Sequence, residues 1–501
     1  EGVSIYKNKI INKFKNTDDY PQGIFFNIKN IKSKKIWNSN NIGNNKYQIS
    51  FMPDKIEQEM LTDNIKTTIE TLIAPDEPVE IRKVTLENLG NEEEILEVTS
   101  HFKPVLSNKE KDYAHPAFNN LFLMFDFDSE TNSIIVKRKK REKDEQELYM
   151  AVNLSTQSET IGDLEYEIDE EKLIGRGNIG IPQMIKNSNP FSKKMGLVTE
   201  PVVALKRTIK IKPGQKVILN LIISVGEEKN PVIKNVEKYK IEENTKKAFE
   251  LSRAKNEAQS RYLRVKGTQI QDYQKILSYI IFNNPAKKIN IEKLAKRKYE
   301  QSELWKYGIS GDLPIILVKI KDGNDSYVIK EVLKAYEFIR TKNIEIELVI
   351  LDEEKHSYEN YVREEIENVI LNSQLAYLKN IRGGIFELSK NEINKEDLEL
   401  LQLVSSIIIN ANKGGLKNTL KEIEEEHLEK YKTIENEVEE NIIKNEDTDN
   451  IDVLQNSEKL QYYNEYGAFT PDGKEYLISI NKNKRLPTVW SNIMANEKFG
   501  T

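Results

Sequence analysis

Residues 304–320 read Leu-Trp-Lys-Tyr-Gly-Ile-Ser-Gly-Asp-Leu-Pro-Ile-Ile-Leu-Val-Lys-Ile. A polar loop broken by Gly308 and Gly311 runs straight into an apolar strand at 315–320. The two glycines open backbone positions closed to other residues. Trp305 and Tyr307 offer flat apolar faces, and Asp312 stands at the mouth of the strand. Rings beside a lone carboxylate suit a sugar, and they equally suit a domain junction.

Downstream of this loop the rhythm is strand, helix, strand. Val328, Val332, Ala335, Tyr336 and Ile339 recur at helical spacing, and a second apolar strand follows at 346–351. Val362, Ile366, Val369, Ile370 and Ser373 mark another helix. A short strand at 384–388 and a helix at about 396–411 complete the set. Strands alternating with helices at this spacing predict a small parallel α/β layer with right-handed crossovers.

Upstream of the loop, helical patterns begin near residue 242. Ala248, Phe249, Ser252, Lys255, Ala258 and Tyr262 trace one stripe. Thr268-Gln269-Ile270-Gln271 reads as a capping box, so a second helix starts there, with Ile270, Tyr273, Ile276, Leu277 and Ile280 on its apolar face. Asn283-Asn284-Pro285 is the stop signal. Before about 235 the chain reads as strands. Val217, Leu219, Leu221, Ile223 and Val225 alternate as one buried face of a strand should. A run at 206–211 precedes them, and Pro213-Gly214 suits the centre of a type II turn, which predicts a hairpin. Further runs lie at 23–31, 79–86, 94–102 and 133–137. Many short strands with few helices imply an antiparallel sandwich.

The chain has 501 residues, a net charge of −6 and 31% charged residues. Mean hydropathy is −0.61 and the pI is about 5.7. The acidic balance argues against a general nucleic-acid binder. No apolar run approaches the ~20 residues needed to cross a bilayer. The amino-terminal residues show no signal peptide, and without a starting Met the chain reads as a piece of a longer protein, whose other segments are where any membrane anchor is expected. There are no cysteines and only four histidines, His101, His115, His356 and His427, widely separated. Thiolate chemistry is excluded, and neither a metal nor a cofactor is expected. The reading fits a reducing, cytoplasmic setting, either free or as the cytoplasmic part of a membrane-anchored protein.

Several motifs have a functional and a bland reading. Gly175-Arg176-Gly177-Asn178-Ile179-Gly180 spells GxGxxG, with Glu200 downstream, but Pro182 and Pro190 interrupt the helix a dinucleotide site needs. A loop joining strands is the better reading. Lys137-Arg138-Lys139-Lys140-Arg141-Glu142-Lys143 is basic, yet Asp144, Glu145 and Glu147 follow at once, so a solvated strand end or hairpin is expected. His356-Ser357 beside Glu353 and Glu354 follows a strand, with no third partner for a triad. Residues 421–452 are rich in Glu and Asp and read as a charged helix fraying into a linker.

The 304–320 block resembles the LW-x-x-GISGDLPI segment of the glycoside hydrolase family 94 region of cyclic β-1,2-glucan synthases. Other blocks match in the same order. His115-Pro116-Ala117-Phe118-Asn119-Asn120-Leu121-Phe122 is similar to the family's HPAFSxLF. Gly175-Arg176-Gly177 is similar to its GRG. Residues 466–476, Tyr-Gly-Ala-Phe-Thr-Pro-Asp-Gly-Lys-Glu-Tyr, resemble YGGFTPDGREY, and 487–496 resemble TPAPWxNVIAN.

The resemblance implies a multidomain α+β chain: a large antiparallel β-supersandwich of carbohydrate-binding type at 1–235 and a helical connector at 236–303. A small parallel α/β domain at 304–420, an acidic helix or linker at 421–458 and a β segment at 459–501 leading to the next module follow. Trp37 falls where the family has the Trp of a G-x-W-S hairpin, and it stacks on glycan or packs in the core. His115 and Phe118 line a sugar groove, or Phe118 tucks into the sandwich. Trp305 stacks on a pyranose while Asp312 accepts hydroxyls, or the two plug and brace the junction. Glu200-Pro201 stands where the family has Asp-Pro, which puts a role for that carboxylate in doubt.

Glycoside cleavage by inversion or phosphorolysis needs a carboxylic acid to protonate the leaving oxygen. In the family that acid lies in an (α/α)6 barrel after the connector. Here only a few helices follow, interleaved with strands, so no catalytic residue is carried over. The resemblance implies that the parent transfers glucosyl units from a nucleotide sugar and trims the glucan by phosphorolysis. The section itself is expected to hold β-glucan or an oligosaccharide beside other modules of the same polypeptide, without nucleic acid. A bare structural spacer is the alternative.

Overall fold

The computed structural model describes residues 2–14, 22–39, 46–143, 145–175, 181–282, 300–354, 361–426, 460–464 and 466–478. Arg176–Gly180 of the glycine motif, Asn283-Asn284-Pro285, His356-Ser357, His427, the acidic run beyond 426 and the 487–496 block lie outside the described residues. The chain divides into two compact units, Glu1–Asn256 with Asp452–Thr501, and Glu257–Ile451.

The first unit is a sandwich of two antiparallel sheets. The larger has eight strands in the order Leu123–Asp128, Ser133–Arg138, Leu148–Thr156, Lys216–Gly226, Val79–Asn88, Ile65–Ile73, Ile56–Thr62 and Lys46–Phe51. The smaller has five, in the order Glu165–Asp169, Pro201–Ile211, Glu94–Phe102, Phe25–Asn30 and Ile36–Asn38. Their inner faces meet in one core. Val84, Leu86, Leu219 and Leu221 come from the larger sheet, and Ile28, Leu96, Val98 and Leu205 from the smaller. Each strand spends alternate residues on that core because side chains change face at every step.

The turn at Pro213-Gly214 forms, but the hairpin does not. Gln215 donates its N–H to the Lys212 carbonyl at 3.0 Å, and Gly214 has φ +72°, as a type II turn needs. The strands on either side join different sheets. Pro201–Ile211 pairs with Glu94–Phe102 and Glu165–Asp169, whereas Lys216–Gly226 pairs with Val79–Asn88 and Leu148–Thr156. The two apolar faces therefore meet across the core instead of lying side by side. Asn88 fastens the corner: its carbonyl accepts Gly214 N–H at 2.8 Å and its Nδ2 donates to the Ile211 carbonyl at 3.2 Å.

Helices begin earlier than residue 242. A helix spans Lys229–Lys240 and lays Val232, Val236 and Tyr239 on the outer face of the larger sheet, against Ile81 and Ile222. Pro231 sits in its first turn, where the missing N–H costs nothing. The next helix, Glu242–Leu263, buries Thr245, Ala248 and Ser252 but leaves Lys255 and Tyr262 exposed, so only the first half of the expected stripe packs. The helix after it covers Gly267–Ile281, and its cap, Lys266, lies two residues before the expected one. Gln269 Oε1 accepts the Lys266 N–H at 2.9 Å, and Thr268 is not the cap. Of its expected face Ile270, Tyr273, Ile276 and Ile280 are buried, and Leu277 is half-buried against the same core.

The second unit holds a wholly parallel four-stranded sheet in the order Ile385–Ser389, Glu347–Asp352, Ile315–Ile320, Ile407–Asn410. Helices Ser326–Arg340, Tyr361–Leu371 and Lys395–Val404 alternate with these strands. The expected helix at 396–411 stops at Val404. Ile407-Ile408-Ile409 then pairs with Ile316-Leu317-Val318, because a run of β-branched residues fits a pleated surface better than a helix. The motif at 466–476 makes a small hairpin of Gly467–Phe469 and Tyr476–Ile478, with Phe469 and Tyr476 in edge contact at 4.8 Å.

Candidate functional site

The expected site residues fall in three separate places. Trp37 lies in the sandwich core, 2% exposed, and donates Nε1–H to Thr67 Oγ1 at 3.2 Å. Its indole is consumed by packing and offers no face to a ligand in this structure.

His115 and Phe118 lie on a surface loop of the sandwich. His115 is the junction of two short helices, Lys109–Ala114 and Pro116–Asn120, with an extended φ of −144°. Both His115 and Phe118 are exposed, Phe118 by 45%. Phe118 therefore does not tuck into the core as the bland reading held. Its edge meets Phe122 at 5.3 Å, and the Arg141 guanidinium lies 5.1 Å from its ring centre. Arg138 lies 5.5 Å over Phe122 and reaches the Asn119 carbonyl at 3.5 Å. The basic run thus braces the aromatic loop by cation–π contact. Arg138 is buried, not solvated, and burial pushes its guanidinium down from the ordinary arginine value. Lys137 instead pairs with Glu147 at 3.0 Å.

Of the glycine motif, Gly175 is described. It closes the helix Glu170–Ile174 with φ +85°, the reverse of the helix-opening place a phosphate site requires. Glu200 is exposed and pairs with Lys103 at 3.3 Å.

Trp305 and Asp312 are drawn together in the second unit. Residues Gln301–Tyr307 form a 3₁₀ helix closed by Gly308 at φ +77°, and the chain then doubles back through Gly311 at φ +71°. Trp305 Nε1 donates to the Ser310 carbonyl at 3.1 Å. Gln301 Nε2 donates to the same carbonyl at 2.9 Å and to Asp312 Oδ1 at 2.7 Å. Ser310 N–H in turn donates to Glu347 Oε1 at 3.1 Å, at the start of the strand Glu347–Asp352. The indole is 61% exposed, so it does not plug a junction within this unit. Asp312 does brace the loop, and it remains exposed beside the ring.

Gln301 has no cue in the sequence; a lone glutamine before a helix carries no pattern. Asp397 is a second. It accepts the Tyr307 hydroxyl at 2.7 Å and pairs with Lys306, which clamps the loop from the helix Lys395–Val404. Burial pushes the Asp397 carboxyl up, but hydrogen bonds from Lys306 and Tyr307 outweigh it and hold the group below the usual aspartate value. Burial and the bond to Asp397 together push the Tyr307 hydroxyl up.

Among the described residues no group of three or more His, Cys, Asp or Glu side chains forms a metal site. Among them, too, no helix is long and apolar enough to cross a membrane.

Residues 1–242, a little under half of the chain, match the family described as glycosyl hydrolase 94, supersandwich domain. Over 454 residues, 90% of the chain, the sequence is 24% identical to the cyclic β-(1,2)-glucan synthase NdvB of Rhizobium meliloti (strain 1021). The chain spans 16% of that relative's length. Among solved structures, a bacterial glucoamylase complexed with acarbose matches over 56% of this chain and 38% of its own, at 9% identity and a TM-score of 0.34. A polysaccharide lyase matches over 44% and 28%, at 13% identity and a TM-score of 0.25. Likenesses this weak carry no weight. The chain is thus related to glucan synthases and to glycosyl hydrolase 94 proteins, and residues 1–242 belong to the glycosyl hydrolase 94 supersandwich family.

Proposed function

We propose that this chain is a glycan-holding section of a larger carbohydrate-active polypeptide of the cyclic β-1,2-glucan synthase type. Its role is to position β-glucan for chemistry performed by other modules, on the cytoplasmic side of any membrane the parent is anchored to. One observation carries the reading: the indole of Trp305 is exposed yet fixed, with its Nε1 tied to the Ser310 carbonyl beside a carboxylate held by Gln301. A flat apolar face meets the CH side of a pyranose, and Asp312 accepts hydroxyls at its rim. Fixing both groups in advance lowers the ordering cost of binding. The relation to a glucan synthase supports the choice of ligand. His115 and Phe118 are a second exposed element of the same chemical kind, held by Arg141.

The spacer reading draws support from the loop itself, because the hydrogen bonds of Asp312 and of the Trp305 indole are made within it. Calorimetric titration of the 501-residue chain with β-1,2-gluco-oligosaccharides, alongside Trp305→Ala, separates the two. Binding that the substitution abolishes is expected; no heat at millimolar sugar establishes the spacer. Phosphate-dependent release of glucose 1-phosphate by the chain alone is the outcome that overturns a non-catalytic role.

A further inference from the structure

A second place in the molecule has the chemistry of a sugar site, and it lies within the first unit, away from the sandwich core. A cleft of about 690 Å³ opens on the outer face of the eight-stranded sheet, beneath the start of the helix Glu242–Leu263. Val217, Leu219 and Leu221 point into the core, so Ile218 and Asn220 point outward and line the cleft. Its floor is a polar row across three strands in direct register, Asn220 opposite Lys83 and Lys83 opposite Glu70, and the row continues past the cleft to Glu57, opposite Glu70.

The row is wired in advance. Glu70 accepts Lys55 at 2.6 Å on one oxygen and Lys83 at 2.6 Å on the other, and Lys55 also reaches Glu57 at 2.5 Å. Lys83 in addition lies 5.3 Å from the centre of the Phe249 ring. Asn220 is the exception. It is 4% exposed, and its Oδ1 has no hydrogen-bond partner among the described residues. A buried acceptor without a donor costs free energy that a bound donor recovers.

The balance of the lining selects the ligand. Acidic and basic side chains around the cleft are equal in number, four of each. An anion or a cation gains nothing from such a wall, and an apolar guest leaves Asn220 unmet. A neutral molecule rich in hydroxyls satisfies both, since a hydroxyl donates to Asn220 Oδ1 and to the remaining lone pairs of Glu70 and accepts from the lysines. Met52, Pro53, Ile218 and Phe249 supply apolar contact for a sugar's CH face. The volume falls within the range of about 300–1,000 Å³ usual for small-ligand sites.

We propose that this cleft is a saccharide-binding site, separate from the 301–312 loop, in which Asn220 and Glu70 take sugar hydroxyls and Phe249 and Met52 meet the ring carbons. The choice of a glucan as its occupant rests on the glycan-holding reading above; the cleft and its unmet acceptor do not.

The test is hydrogen exchange on the full 501-residue chain, with and without a β-1,2-linked gluco-oligosaccharide. Expected is sugar-dependent protection of 50–56 and 242–256 that persists in Trp305→Ala, and an affinity for that protection weakened about tenfold in Asn220→Ala, as loss of one buried hydrogen bond predicts. The unaltered chain already decides whether the cleft is occupied, so the proposal stays testable if Asn220→Ala misfolds. Protection confined to 301–312 and lost in Trp305→Ala overturns the cleft and leaves the loop reading standing. Protection at neither place overturns both.

Discussion

Trp37 and Trp305 are the same side chain in opposite circumstances. Each donates its indole N–H to one internal acceptor, Thr67 Oγ1 for Trp37 and the Ser310 carbonyl for Trp305. Trp37 has both faces covered by the two sheets of the sandwich, whereas Trp305 has a face open to solvent. A polar anchor therefore does not mark an indole as functional or structural. What separates the two is whether apolar neighbours close over the ring. For Trp37 the closure comes from strands far away in the sequence; the residues around Trp305 hold its edge and leave the face bare.

The contrast predicts a large asymmetry in stability. Trp37→Ala is expected to cost the sandwich about 3–5 kcal/mol, the range for an aromatic deleted from a packed core. Denaturant unfolding of both variants measures this. Trp305→Ala should cost no more than about 1 kcal/mol, since it loses one net hydrogen bond and little burial. Equal destabilisation by the two substitutions breaks the comparison.

His101 extends the comparison to a titratable ring. It sits on the strand Glu94–Phe102, its Nε2 is 2.8 Å from Asn27 Nδ2, and Phe25 packs on it at 5.6 Å. Burial pushes its imidazole down to about 4 from an ordinary 6.5. The unfolded chain thus binds the proton more readily than the folded one between those values. The stabilising contribution is complete above pH 6.5 and is lost as pH falls toward 4, by about 2 kcal/mol once the half-buried state of the residue is allowed for. Unfolding free energies measured at a series of pH values should show this slope, and His101→Gln should flatten it between pH 4 and 6.5. A slope unchanged by the substitution assigns the pH dependence to other groups.

The smallest expected effect concerns the brace of the loop. Gln301→Ala removes the bonds to the Ser310 carbonyl and to Asp312, all at the surface, and should cost about 1 kcal/mol or less in stability. Its measurable consequence lies elsewhere: Trp305 loses a partner at the carbonyl that positions it, so sugar affinity at this loop should fall while melting temperature barely moves. Parallel calorimetry and thermal unfolding distinguish that outcome from a purely structural role, in which both change together or neither does.

Legibility differed between the two units for a physical reason. The parallel sheet buries both faces of its strands, so 315–318 of the strand Ile315–Ile320 reads as an unbroken apolar run and is recognisable alone. Its helix Ser326–Arg340 buries every residue of the stripe that its spacing marked. The miss in this sheet, Ile407–Asn410, is a β-branched run that becomes a strand against the edge Ile315–Ile320 offers it. In the sandwich the short runs at 79–86, 94–102 and 133–137 are visible in the sequence, but nothing local shows that Pro201–Ile211 and Lys216–Gly226 part company at their turn. The cleft was invisible for the same cause. Asn220, Lys83, Glu70 and Glu57 are ordinary polar residues in sequence, and only strand register aligns them.

Taken alone, the amino-acid order determined what short-range physics governs: where strands alternate, where the backbone turns at Pro213-Gly214 and Gly308, and which helix faces are apolar. Tertiary structure decided which sheet each strand joined, which indole was covered, and which acceptor was left without a donor. Periodicity and turn geometry act over a few residues. Burial and pairing depend on partners a hundred or more positions away, such as Asn88 and Ile211 at the sandwich corner, and those partners are chosen only when the layers close.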